Sequence, residues 1–208
     1  MKFILFIEGH TEKKALPQFL KKWLDPKLAK PVGIKTVRFE GWPELVKDTP
    51  KKALMYLNGL EQHDIVAVIA LLDLYGPIFY PTDKQTSKDR HDWAKAHLEN
   101  KVNHPKFRQF FAVHETEAWL LSDPNLFPAE IKSALPKNLQ HPEEVNFDEP
   151  PAKLFERLYK QKTQRPYKKV VHGSELFSKL DPNLAYTKCP RLKEFLDEIL
   201  NLAKEADL

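Results

Sequence analysis

At 208 residues, 42% of them hydrophobic and 30% charged, the chain has the balance of a soluble globular protein and the length for a substantial core. Its one cysteine, Cys189, excludes an internal disulfide framework and a multi-cysteine zinc site, and no apolar run is long enough for a membrane helix. A net charge of +4, from 33 basic and 29 acidic residues, permits a nucleic-acid partner without demanding one.

Phe3 to Ile7 is apolar without alternation, which predicts a strand buried on both faces, as in a parallel sheet covered by helices. The run is too short for a secretory signal and leads straight into an acid, so a cytoplasmic protein is expected. That acid is Glu8. Gly9 then admits a sharp turn and the close approach of a ligand, and Thr11 and Glu12 follow. The pairs Ala15/Leu16, Phe19/Leu20 and Trp23/Leu24 recur every four residues and predict an amphipathic helix. Pro17 lies inside it, which places the regular part beyond Thr11 and leaves Glu12 in a turn.

Ile34–Phe39 alternates and is rich in β-branched residues, predicting a second, more exposed strand. Glu44–Leu60 reads as a helix with Leu45, Val46, Leu54, Leu57 and Leu60 inward. Asp64–Asp73 is the strongest strand signal, and it too ends in a carboxylate. Residues 76–81 form a proline-stiffened loop, Asp89–Val102 a polar helix, and Phe107–Val113 a fourth strand running into His114-Glu115-Thr116-Glu117-Ala118-Trp119-Leu120-Leu121. Strands alternating with helices predict an α/β fold around a mostly parallel, doubly wound, four-stranded sheet flanked by helices. Beyond Pro128 the pattern is helical with proline joints, with helices expected over Ala152–Tyr159, Glu175–Leu180 and Arg191–Ala203. The expected division is an α/β domain over 1–125 and a helical C-terminal extension over 126–208, packed on the same core.

Two core strands that each end in an acid are the most informative feature. Ligands of open α/β sheets bind beyond the carboxyl ends of the strands, so Glu8, Asp73 and Glu12 are candidates for one divalent-metal site, with Mg²⁺ or Mn²⁺ taking oxygen ligands. The plainer alternative is that these acids end their strands and face solvent. Glu115 and Glu117 follow the next strand. Spaced by two, they cannot share one helical face, and Glu117, followed by the apolar Ala118–Leu121, is the favoured ligand. Its alternative role is a first-turn acid at a helix N-terminus. Lys168, Lys169 and His172, in RPYKKVVHG, are candidates for contact with a phosphate backbone, or else a solvated basic face. No G-x-S-x-G, H-E-x-x-H, G-x-G-x-x-G or Walker A frame is present.

The segments IEGHTE, LLDLYG, HETEAWLLSDP, YKKVVHG and CPRLKEFL, in that order, resemble an uncharacterised family related to the Toprim domain of topoisomerases, primases and OLD-type nucleases. Members are often encoded beside an ABC-type or SMC-like ATPase, a pairing suggestive of phage defence. The resemblance implies a Toprim/Rossmann-like fold and a metal-dependent phosphodiester hydrolase acting on DNA or RNA. Glu8 would be the proton-transfer group, Asp73 a Mg²⁺ ligand, and Glu12 and Glu117 further acidic positions. It also implies an alternative, a catalytically silent module that binds such an ATPase; a homodimer is expected as well, and no membrane partner. One departure stands out: the family's D-x-D is Asp73-Leu74-Tyr75 here, and a protonated phenol is a poor Mg²⁺ ligand.

Overall fold

The computed structural model describes residues 1–137, 139–144 and 149–208. In chain order the strands are β1 (Lys2–Ile7), β2 (Gly33–Arg38), β3 (Ile65–Asp73) and β4 (Phe107–Ala112). The α-helices are α1 (His10–Leu24), α2 (Trp42–Leu57), α3 (Ser87–Val102), α4 (Ala129–Lys132), α5 (Pro151–Thr163), α6 (Ser174–Lys179), α7 (Pro182–Lys188) and α8 (Pro190–Glu205). The strands form one sheet in the order β2-β1-β3-β4, with every pair parallel. The expected α/β class and parallel four-stranded sheet are therefore present.

Period-two alternation explains why the central strands are apolar throughout. Phe3, Leu5 and Ile7 of β1, with Ala67, Ile69 and Leu71 of β3, pack into one cluster with α1 and residues of α5 to α8. Ile4, Phe6, Val68, Ala70 and Leu72 pack on the opposite face with residues of α2 and α3. Leu154, Phe177 and Leu196 share the first cluster with Leu5 and Phe19, so residues beyond 126 pack on the same core as the sheet. The 3-10 helix Thr116–Ser122 is buried along its whole length. Its Trp119 stacks on Phe19 and meets Phe177 edge-on.

At the sheet's β4 edge, Gln109 N donates to Glu99 Oε1 at 3.0 Å and Lys95 Nζ donates to the Gln109 carbonyl at 3.0 Å. Side chains of α3 thus occupy backbone groups that a further strand would need.

Two expectations are corrected. α1 begins at His10 and runs through Pro17, so Glu12 sits in its first turn rather than in a preceding loop. Proline removes one N–H, and the carbonyl it leaves belongs to Lys13, an exposed residue. The burial of Ala15, Leu16, Phe19, Leu20, Trp23 and Leu24 outweighs that one lost bond. In the second helix Leu45 and Leu57 are inward, but Leu54 is at the surface and Leu60 is fully exposed. The helix stops at Leu57, so Leu60 falls outside the periodicity that was to carry it inward. Ala53 and Thr49 take the buried positions instead.

Candidate functional site

Glu8 follows β1 and Asp73 ends β3, and the two strands are neighbours, so both acids reach the carboxyl edge of the sheet together. Asp73 N donates to Glu8 Oε1 at 3.3 Å. Behind them lie two more acids, Glu12 and Glu117, both buried. Thr116 joins three of the four: its N–H donates to Asp73 Oδ1 at 3.1 Å, and its hydroxyl lies 3.2 Å from Glu12 Oε1 and 3.4 Å from Glu117 Oε2. A hydroxyl has one proton, so it can donate to only one of those carboxyls at a time.

The cation of the cluster is Lys169, whose Nζ is 3.1 Å from Glu117 Oε2. It is carried by a π-helical turn, Lys169–Gly173, a geometry that recurs at functional sites. The turn packs against α1 because Gly173 has no side chain: a Cβ there would lie 3.1 Å from Thr11 Cγ2 and from the Tyr167 hydroxyl.

Crowding of acids away from water sets their protonation. Burial raises Glu117 to about 7, with Glu12 adding to the rise and Lys169 opposing it. Burial raises Glu8 to about 6, against backbone N–H groups of Asp73 and Trp42 that favour its charged form. Asp73 is also pushed well above the usual carboxylate range, first by burial and then by its three acidic neighbours, while Lys169 opposes. Burial works against the charge of Lys169, but Glu117, Asp73 and Glu12 outweigh it and hold the ammonium pKa above that of a free lysine.

Gly9 has a role that differs from the one its sequence context implies. Its φ of −105° and ψ of 166° are open to any residue, so no turn requires glycine here. Space does. A Cβ on residue 9 would lie 2.0 Å from Glu12 Oε2, so the close approach is made by Glu12 itself. Gly9→Ala is expected to displace that carboxylate and destabilise the fold by about 1–2 kcal/mol. In a Glu12→Ala background the same change should be neutral or slightly stabilising, because alanine restricts the unfolded chain. Urea denaturation of the four proteins in this cycle measures the coupling; additive effects would remove the steric explanation.

Of the remaining candidates, Glu115 is tied to α5, its Oε2 accepting from Ala152 N at 2.9 Å, while its charge still acts on Glu117 and Lys169. Glu117 thus pairs with Lys169 inside the cluster, while the carboxylate of Glu115 is engaged by the N-terminus of α5. Lys168 is exposed, and its backbone N donates to His172 Nδ1 at 2.8 Å. The His172 ring stacks on Tyr159. The structure thus brings Lys169 to the acids, while His172 braces the π turn. Thr116 is a participant that no motif marks, and its one signal in the sequence is its place between two glutamates. Tyr75, at the position of the expected second aspartate, is half-exposed.

The donor chemistry suits a hard cation, since the cluster offers only oxygens. Glu12 Oε2 and Glu117 Oε1 are buried and accept no hydrogen bond from the described residues. As the side chains stand, no group of three or more His, Cys, Asp or Glu among the described residues is arranged to hold an ion. Lys169 supplies the positive charge there.

The four-stranded parallel sheet with its flanking helices puts this protein in the α/β class. The chain belongs to the family DUF4276, described as a domain of unknown function, whose model matches residues 7–200. Comparison with curated proteins and with solved structures returns no match. No helix among the described residues is long and apolar enough to cross a membrane.

Proposed function

We propose that the chain is a divalent-metal-dependent phosphodiester hydrolase acting on nucleic acid, a nuclease of the Toprim type. The observation that carries this reading is the meeting of Glu8, Asp73, Glu12 and Glu117 around one lysine at the carboxyl edge of the sheet. Asp73, Glu12 and Glu117, with Glu8 beside them, would hold Mg²⁺ or Mn²⁺, which when bound supplies charge stabilisation at a phosphate and an acidified water. Glu8, at the rim of that cluster and hydrogen-bonded to Asp73 N, would be the general acid or base. Lys169, which pairs with Glu117 at 3.1 Å, would be the cation available to contact a substrate phosphate beside such a site. Exposed Lys168 extends positive charge along the backbone of a polymer.

The test is Mn²⁺-dependent nicking or degradation of plasmid DNA and of RNA by wild type, Glu8→Gln and Asp73→Ala. Both variants are expected to fall to background. Activity surviving both changes would sink the assignment.

A second reading is favoured by the Glu117–Lys169 ion pair, which already neutralises part of the cluster without a metal. In that reading the acids brace a catalytically silent module whose work is to bind an ABC-type or SMC-like ATPase, in phage defence. Calorimetry showing no Mg²⁺ or Mn²⁺ binding, with co-purification of such an ATPase, would select it over the nuclease.

A further inference from the structure

Immediately after Asp73 the chain builds a concavity of about 450 Å³, lined by Tyr75 and Ile78 from one loop, Gln85 just before α3, Ser87 and Arg90 on α3, and His114 after β4. Its position is fixed. Leu74 N donates to the Ala112 carbonyl at 2.9 Å and Tyr75 N to the His114 carbonyl at 3.0 Å, which ties the pocket to the end of the sheet. Tyr75 is two residues from Asp73, so their Cα atoms are at most about 7 Å apart, comparable with the length of one nucleotide.

The chemistry of the wall is mixed in a particular way. Tyr75 is 44% exposed and Ile78 83% exposed, in a protein that buries most of its large apolar side chains. Gly76 turns the chain at a φ of 104°, and a Cβ there would meet nothing within 4 Å, so the space beside Tyr75 is open. Gln85 and Ser87 bring an amide and a hydroxyl. Arg90 is held by its Nε, which donates to the Lys84 carbonyl at 3.0 Å, and by the Tyr80 ring beneath its guanidinium. His114 keeps a left-handed φ of 63°, a strain that non-glycine residues carry where the surroundings demand it.

A flat aromatic face two residues along the chain from the acid cluster, amide and hydroxyl donors, and a held guanidinium match the parts of one nucleotide. We propose that this pocket takes one unstacked nucleobase next to the scissile phosphate, so that the substrate is single-stranded nucleic acid rather than intact duplex; this rests on the nuclease reading of the acid cluster. The base lies against Tyr75, its edge meets Gln85 and Ser87, and Arg90 holds a flanking phosphate. A base inside a duplex stack has both faces covered and cannot enter without being unpaired.

The experiment is binding rather than cleavage. Fluorescence anisotropy of short 5′-labelled single strands, DNA and RNA, and of the duplexes of the same sequence, is followed with the full chain in Ca²⁺ and in EDTA. Wild type is expected to prefer single strands at least about tenfold. Tyr75→Ala should weaken single-strand binding about tenfold or more, and Tyr75→Phe should retain it. Arg90→Ala should weaken binding and reduce its salt dependence. Equal affinity for duplex and single strand, an unaffected Tyr75→Ala, or no binding in either buffer overturns the pocket. The two proposals fail separately. Mn²⁺-dependent cleavage lost in Asp73→Ala, alongside unaltered binding by Tyr75→Ala, rejects only the base pocket. Binding as expected, with no cleavage in any metal, rejects only the hydrolase.

Discussion

Glu117→Gln is expected to remove a large part of the pH dependence of stability between about pH 5 and pH 8. Glu117 is fully buried, and its carboxyl is raised from 4.5 to about 7. The folded state therefore binds a proton that the unfolded state has lost across that window. Since stability changes with pH as the protons bound by the unfolded state minus those bound by the folded one, the contribution of Glu117 is full below about 4.5. It is lost as pH rises through about 7. A shift of that size corresponds to roughly 3 kcal/mol. Glutamine has the same shape and can still accept from Thr116, so the wild type should lose about that much relative to Glu117→Gln between acid and alkaline pH. Urea denaturation of both proteins at about pH 5 and pH 8 measures it. Parallel stability profiles would mean that Glu117 titrates normally and is not part of a desolvated cluster.

The second expected result concerns the opposite charge. Lys169→Met leaves Glu12, Asp73 and Glu117 facing one another without their cation. Removing one partner of a buried ion pair costs about 3–5 kcal/mol. The Lys169 side chain is 38% exposed, and water screens part of the interaction, so about 2 kcal/mol at alkaline pH is expected. The penalty should shrink in acid, because protonated carboxyls no longer repel and Lys169 is one of the groups that lowers Glu117 and Asp73. Thermal unfolding across the same pH range shows this as a gap between wild type and variant that widens with pH. A gap independent of pH would indicate lost packing by the lysine stem rather than lost charge.

How much of this was legible in the chain depends on range. Phe3–Ile7 and the apolar run from Ile65 to Leu72 announced themselves as strands because both faces of each are covered, so no polar residue interrupts them. The acids that end them were legible for the same reason: a carboxylate after such a run lies at a sheet edge wherever the neighbouring strand happens to be. Pro17 misled, since a local rule about one hydrogen bond was weighed against a stripe of six buried side chains and the stripe prevailed. Leu60 misled in the other direction, by lying in phase with a helix that had already ended. The basic neighbours of Lys169 point to a phosphate contact. Its partnership with Glu117 depends on how the Lys169–Gly173 turn and α6 pack onto α1, which no local pattern encodes. The steric role of Gly9 was hidden too, because the atom that needs the space belongs to a side chain three residues on.

The π turn at Lys169–Gly173 makes the site depend on counting as well as on chemistry. A π turn holds one more residue per hydrogen-bonded ring than an α turn, and the Lys169 side chain reaches Glu117 from the first position of that longer ring. The spacing between Tyr167 and Ser174 is thus as much a determinant as the identity of the lysine. A relative one residue shorter between those points would keep the letters of the motif and aim its cation elsewhere. When members of this family are aligned, a gap in this short segment carries as much information about the acid cluster as a substitution within it.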